Sequence, residues 1–173
     1  MELFSIADNL SETEEKKLVS LLDKVGPKMP TPVYNAVAAK FVLVAIETVI
    51  LRRKQGKVEV FLAKRPPTDA YYPNMLHSPG TILRASDRPG SYQDAFERVQ
   101  KNELGVNFVF PPEFVGSYYF HTSRGPENSL VFLCEVEKEP KTGKFYDVRN
   151  LPENLLPHHY IVIAKVLDYY KKQ

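Results

Sequence analysis

The stretch SPGTILRASDRPGSYQDAFERVQKNELGV, Ser78–Val106, decides how this chain is read. It opens on Pro79-Gly80 in an irregular run and closes on Gly105-Val106. Ser91 and Asp94 have the spacing of a capping box and Gly105 is a helix-stop residue, so the spacing predicts a helix from Ser91 that ends at Gly105. Tyr92, Phe96, Val99 and Glu103 recur at intervals of three and four and fall on one stripe. Positions 99, 102 and 103 share a face, and of Val99, Asn102 and Glu103 only the last is charged.

Working outward, FVLVAIETVIL (Phe41–Leu51) and VEVFLAKR (Val58–Arg65) are rich in β-branched residues and flank a turn with Gly56, which predicts a hairpin. Pro66–Ser91 is proline-rich and aperiodic, an irregular connection of the length that binding loops have. EFVGSYYFHT and NSLVFLCEVE read as two further strands joined by SRGPEN, and LPHHYIVIAKVLDYYKKQ as a helix after Pro157. Near the start, Ser11 and Glu14 form a capping box, and Leu18, Leu21, Leu22 and Val25 continue an amphipathic helix that Gly26 and Pro27 stop. The PKMPTP run reads as a linker, so residues 1–32 are expected to be a helical extension and 33–173 the main α/β domain.

Composition narrows the function classes. The 173 residues, 43% hydrophobic, suffice for one core, and 23 basic against 21 acidic side chains give a net charge of +2 that argues for no nucleic-acid or anionic-membrane partner. The single Cys134 excludes an internal disulfide or a cysteine zinc site. An acidic start without a basic-then-apolar pattern, and no apolar run near 20 residues, lead us to expect a cytoplasmic protein.

On these residues the chain resembles the Nudix hydrolase family. That family's box runs glycine, five residues, glutamate, seven residues, then Arg-Glu-aliphatic-any-Glu-Glu-any-Gly-aliphatic. With Arg98 on the box arginine, Gly105 and Val106 meet its closing pair and Glu103 its last glutamate. Val99 and Asn102 stand where the other two helix glutamates belong. Pro79-Gly80-Thr81 replaces Pro-Gly-Gly, and the loop is three residues longer than the motif, with Asp87 its only acid. FLAKRPP, YYPNMLHSPG and GKFYDVRNLPENLLP resemble family segments outside the box. The resemblance, from about Phe41 to the C-terminus, implies a Nudix-like α/β/α sandwich with a mixed sheet, preceded by the helical extension.

The box works through charge, because magnesium or manganese is held by carboxylates and carbonyl oxygens, and valine cannot ligate. Glu135, Glu137 and Glu139 alternate after the fourth strand. Glu103 with Glu137 or Glu139 and the carbonyl of Gly80 or Thr81 compose at most one weak magnesium site; equally, these acids are a solvated strand face. Arg98 either orients Glu103 or a phosphate, or pairs with Asp94 one helical turn away. Arg65, His77 and Tyr72 are candidate ligand contacts, and each also has an ordinary structural reading. Tyr118–Phe120 could stack on a base or pack in the core. His121, His158 and His159 have no partner at metal-ligand spacing. The family's isomerase branch is disfavoured because Cys134 falls within a strand. Two functions stay open: a ligand-binding or interaction module for a nucleotide-like small molecule, with a homodimer compatible, and a divergent magnesium-dependent hydrolase of a nucleoside diphosphate linked to another moiety.

Overall fold

β1 (Leu43–Lys54) is the spine of the molecule. Its β-branched, apolar sequence suits a strand buried on both faces, and Ala45 through Leu51 are buried throughout. It pairs in parallel with β6 (Gly125–Cys134) and antiparallel with β2 (Lys57–Lys64) and β4 (Gly80–Ile82). The seven-stranded mixed sheet has the order β3-β2-β1-β6-β5, with β4 on β1 and β7 on β2. Here β3 is Leu76–His77, β5 is Glu113–Thr122 and β7 is Lys144–Asp147. The computed structural model describes residues 10–26, 29–109 and 111–172. The expected acidic start and the Pro27 stop lie outside them.

Two cores sandwich the sheet. On one face, Ile46, Ile50 and Phe61 pack against Ala95, Phe96 and Val99 of α3 (Gln93–Val99). On the other, Val49, Leu51 and Leu62 pack against Val162, Ile163 and Val166 of α4 (Pro157–Tyr170). The three- and four-residue spacing of those α4 residues puts them on one stripe, each contributing about 1.5–3 kcal/mol when buried. The result is the expected α/β/α sandwich.

Four local expectations change. The last two residues of the run read as a linker open α2 (Thr31–Ala38), with proline in the first turn, where its missing N–H costs nothing. α2 crosses the expected 32/33 boundary. The irregular connection 66–91 contains β3 and β4. The Ser91–Asp94 box does not form: Ser91 Oγ accepts from the Gln93 N–H, and Asp94 binds Arg88 instead. β6 stops at Cys134, so Glu135, Glu137 and Glu139 do not share a strand face, and Cys134 sits at the strand end rather than within it. The Ser11–Glu14 capping box does open α1 (Glu12–Leu22), whose residues are all exposed. No described helix is long and apolar enough to cross a membrane.

Candidate functional site

After Val99 the α3 helix widens into a π-helical turn, Gln100–Leu104, closed by a Gly105 N–H bond to the Gln100 carbonyl at 2.8 Å. Gly105 has φ +67°, a left-handed conformation that glycine adopts without strain. Such wide turns frequently occur at functional sites, and this one separates Val99 from Glu103. Val99 is fully buried among Ile46, Phe61 and Leu104, while Glu103 is half-buried with Oε2 3.9 Å from His77 Nε2.

Arg98 does not pair with the Asp94 carboxylate. Its guanidinium grips both oxygens of Asp87, one at 2.8 Å, and donates to the carbonyls of Ile82 and Asp94. Asp87, held below the usual carboxylate range by Arg98, also accepts the Arg84 N–H. These bonds fix the long loop to the helix. Glu139 is bound to Arg52, which also holds Glu59 and lies over the Phe145 ring. The Glu137 N–H donates to the Asn107 carbonyl. Among the described residues no three His, Cys, Asp or Glu side chains are placed to hold a metal ion, so Glu103, Glu137 and Glu139 form no such group.

A different set of side chains comes together on the α4 face. Glu47 projects from β1, Glu127 and Ser129 from β6, and all three are buried. Cross-strand partners point to the same side, and the register Glu47↔Gly80, Ala45↔Ser129, Leu43↔Glu127 carries the acids onto one surface. Arg124 binds Glu127 Oε2 at 2.5 Å, and Ser129 donates to Glu127 Oε1. His159 Nδ1 accepts the Ser78 N–H at 3.0 Å, so in the neutral ring the proton lies on Nε2, 3.9 Å from Glu47 Oε2. Gly80 makes this approach feasible: a Cβ there would lie 2.7 Å from Glu47 Oε2 and 2.6 Å from the Ile46 carbonyl. Arg65 at the end of β2 is bound to Asp69, which also accepts the Tyr71 and Tyr72 N–H groups. Tyr72 is buried, and its hydroxyl accepts the Ser123 N–H.

Together Glu47, Arg65, His77, Gly80, Arg124 and His159 surround a narrow pocket of about 40 Å³, room for one or two waters or a single polar group. Glu47 Oε2 and Arg124 Nε are buried without a hydrogen-bond partner. Burial, reinforced by Glu127, pushes the Glu47 carboxyl well up. Burial, reinforced by Arg65, brings His77 down to about 4, and burial with Arg124 does the same to His158. Burial also drives His159 well down, helped by its histidine neighbours. Glu103 is raised by burial and partly restored by Arg65. His77 is therefore neutral at pH 7, and its contact with Glu103 is not an ion pair.

Of the residues singled out from the sequence, Arg65, His77 and Gly80 line this pocket and Glu103 lies 3.9 Å from His77, whereas Tyr72, Glu137 and Glu139 are not among its lining residues. Tyr118 and Phe120 pack on the α4 core. Glu47, Arg124, Glu127 and His159 are the members that sequence reading missed. One signal was available: Glu47 is a lone acid inside the apolar run FVLVAIETVIL, and a carboxylate there needs an explanation.

No family profile matches the sequence, and no curated protein does. Solved structures do match. A MutT Nudix hydrolase from Burkholderia pseudomallei superposes with a TM-score of 0.60 at 17% identity, over 73% of this chain and 99% of that one. The Nudix domain of Shewanella oneidensis NrtR, complexed with ADP-ribose, gives a TM-score of 0.60 at 14% identity over 93% and 99%. The C-terminal domain of mouse MUTYH, in a complex with human PCNA, gives 0.59 at 12% over 76% and 91%. The chain has the Nudix fold.

Proposed function

We propose that this Nudix-fold chain is a ligand-binding module for a nucleotide-like small molecule, acting without standard Nudix catalysis. The observation that carries this reading is Val99, fully buried in the α3 core at the position where the resemblance calls for a metal-binding glutamate. The loop acid cannot take its place while Asp87 is held by Arg98 on both oxygens. Glu103 remains as a single carboxylate, which binds magnesium or manganese only weakly. NrtR, a neighbour of similar fold, has been captured with ADP-ribose in its Nudix domain, which supports a ligand of that type. A cytoplasmic setting and self-association belong to the same reading, the latter supported by the exposed Leu18 and Leu22 of α1.

Calorimetry tests the reading directly. ADP-ribose should bind without metal, and magnesium or manganese no tighter than the millimolar range. Release of phosphate or nucleoside monophosphate from nucleotide sugars, dinucleotides and nucleoside triphosphates should stay at background. Micromolar metal binding or turnover that disappears in Glu103→Gln would establish the divergent hydrolase instead. That second reading has one observation in its favour: Glu103 faces neutral His77 with its carboxyl pushed upward, an arrangement suited to proton transfer.

A further inference from the structure

Beside the narrow polar pocket lies a larger chamber of about 670 Å³, within the usual range of about 300–1,000 Å³ for small-molecule sites. One wall is Met29, Tyr34 and Val37 of the N-terminal segment; the other is Leu43, Ile82 and residues 83–86. Thr81 and Ile82 line both hollows. The register explains the continuity: Leu43, Ala45 and Glu47 alternate onto one face of β1, and their β4 partners Ile82 and Gly80 face the same way. The apolar chamber and the polar pocket therefore adjoin along a single sheet surface, with Thr81 and Ile82 between them.

The N-terminal wall is docked, not appended. Gly125, at φ +136°, lets the Ala38 carbonyl at the end of α2 come so close that a Cβ would lie 2.1 Å from it. Residue 125 adjoins Arg124, and Tyr34 on α2 feels both Arg124 and Glu127 electrostatically. The helix thus reaches the rim of the polar pocket.

Charge at the polar end selects the ligand. Arg65 is bound to Asp69 and Arg124 to Glu127, which leaves Glu47 and Glu103 without a cation of their own. In either protonation state of Glu47 the pocket carries no net positive charge, so burying a phosphate or carboxylate there would leave it uncompensated. The orphaned Glu47 Oε2 and Arg124 Nε offer hydrogen-bonding sites that a hydroxyl or amide, being donor and acceptor at once, can satisfy.

We propose that the N-terminal segment completes the ligand site, and that an uncharged ring compound bearing a hydroxyl or amide lies between Tyr34 and Ile82 with its polar group in the Glu47–Arg124 pocket. This rests on the binding-module reading and specifies which part of the ligand enters the fold. Any charged portion stays outside, where exposed Arg84 stands at the chamber rim.

The test uses naphthol and naphthoate, one ring with a neutral or an anionic group, titrated by amide-detected NMR. The salt should be about 0.15 M, so that the field of Arg84 is screened beyond about 8 Å. Naphthol should bind at least about tenfold more tightly, with shifts centred on Tyr34, Val37 and Ile82. Val37→Arg should weaken naphthol about tenfold or more. Ala85→Trp, on the opposite and exposed wall, should do the same with the folded amide spectrum intact. Equal or tighter naphthoate binding, shifts centred elsewhere, undiminished affinity in Ala85→Trp, or no naphthol binding up to its solubility limit overturns the proposal. Failure of the binding-module reading is a separate outcome, since it shows as Glu103-dependent turnover.

Discussion

The two faces of the sheet treat charge in opposite ways. On the α3 face, where a known motif leads one to expect acids, the helix fills the space with Ala95, Phe96 and Val99. On the α4 face, which no motif marks, buried Glu47, His77 and His159 and partly buried Arg124 line a small pocket, with buried Glu127 bound to Arg124. A motif locates a helix in a fold, whereas chemistry follows buried polar groups. Here the helix and the buried polar groups lie on opposite faces of the sheet, and Glu103 Oε2 comes within 3.9 Å of His77 Nε2.

The strongest way to break this contrast is to restore the motif. Val99→Glu places a carboxylate in a fully apolar site, and an unpaired buried charge costs about 3–5 kcal/mol. Chemical denaturation should show a loss of that size and calorimetry no new magnesium site. Retained stability together with tight metal binding would mean that the α3 face can still serve as a metal cleft.

The α4 face should reveal itself through pH. His77 and His158 are held near 4 against an ordinary value of 6.5, so the folded state favours their neutral forms. The stability they confer is present above 6.5 and is lost as pH falls towards 4. The melting temperature should drop across that window, and the drop should shrink in His158→Phe. Glu47 has the reverse sign: its raised carboxyl contributes stability below its ordinary value of 4.5 that is lost as pH rises through the folded value. Glu47→Gln removes the burden of ionising a buried acid and should raise the melting temperature at pH 8 by roughly a few °C, with less gain at pH 5. An unchanged pH profile in both variants would show that the cluster is more hydrated than its burial indicates.

The smallest effect belongs to the surface. Arg88 pairs with Asp94 at the start of α3 with two-thirds of its side chain exposed. Arg88→Gln should therefore cost less than about 1 kcal/mol in urea unfolding. Removal of the partly buried Arg98–Asp87 clamp by Arg98→Gln should cost clearly more, because it releases a loop as well as a charge.

Much of this was legible in the amino-acid order. The hairpin of β1 and β2, the β5–β6 pair, α1 with its capping box, α4 after Pro157 and the stop at Gly105 all follow from local periodicity and turn chemistry, which neighbouring residues determine. The sandwich with its mixed sheet followed from the order of those elements together with the resemblance. The start of α2 inside the end of the PKMPTP run was not legible because proline punctuates most strongly, yet in a first helical turn it is neutral. The capping pair at Ser91 and Asp94 failed because Arg88, in the preceding loop, competes for the same carboxylate with a full charge.

What the sequence determined by itself is the order of elements and a helix face on which Val99 and Asn102 accompany Glu103, its one acid, since residue identity and spacing are visible in one dimension. What only tertiary structure decided is which polar groups meet. Glu47, the Arg124–Glu127 pair and His159 lie far apart in the chain and converge because β1 pairs in parallel with β6 and α4 crosses the face they share. Parallel pairing joins distant segments, and no spacing rule in the sequence encodes that register.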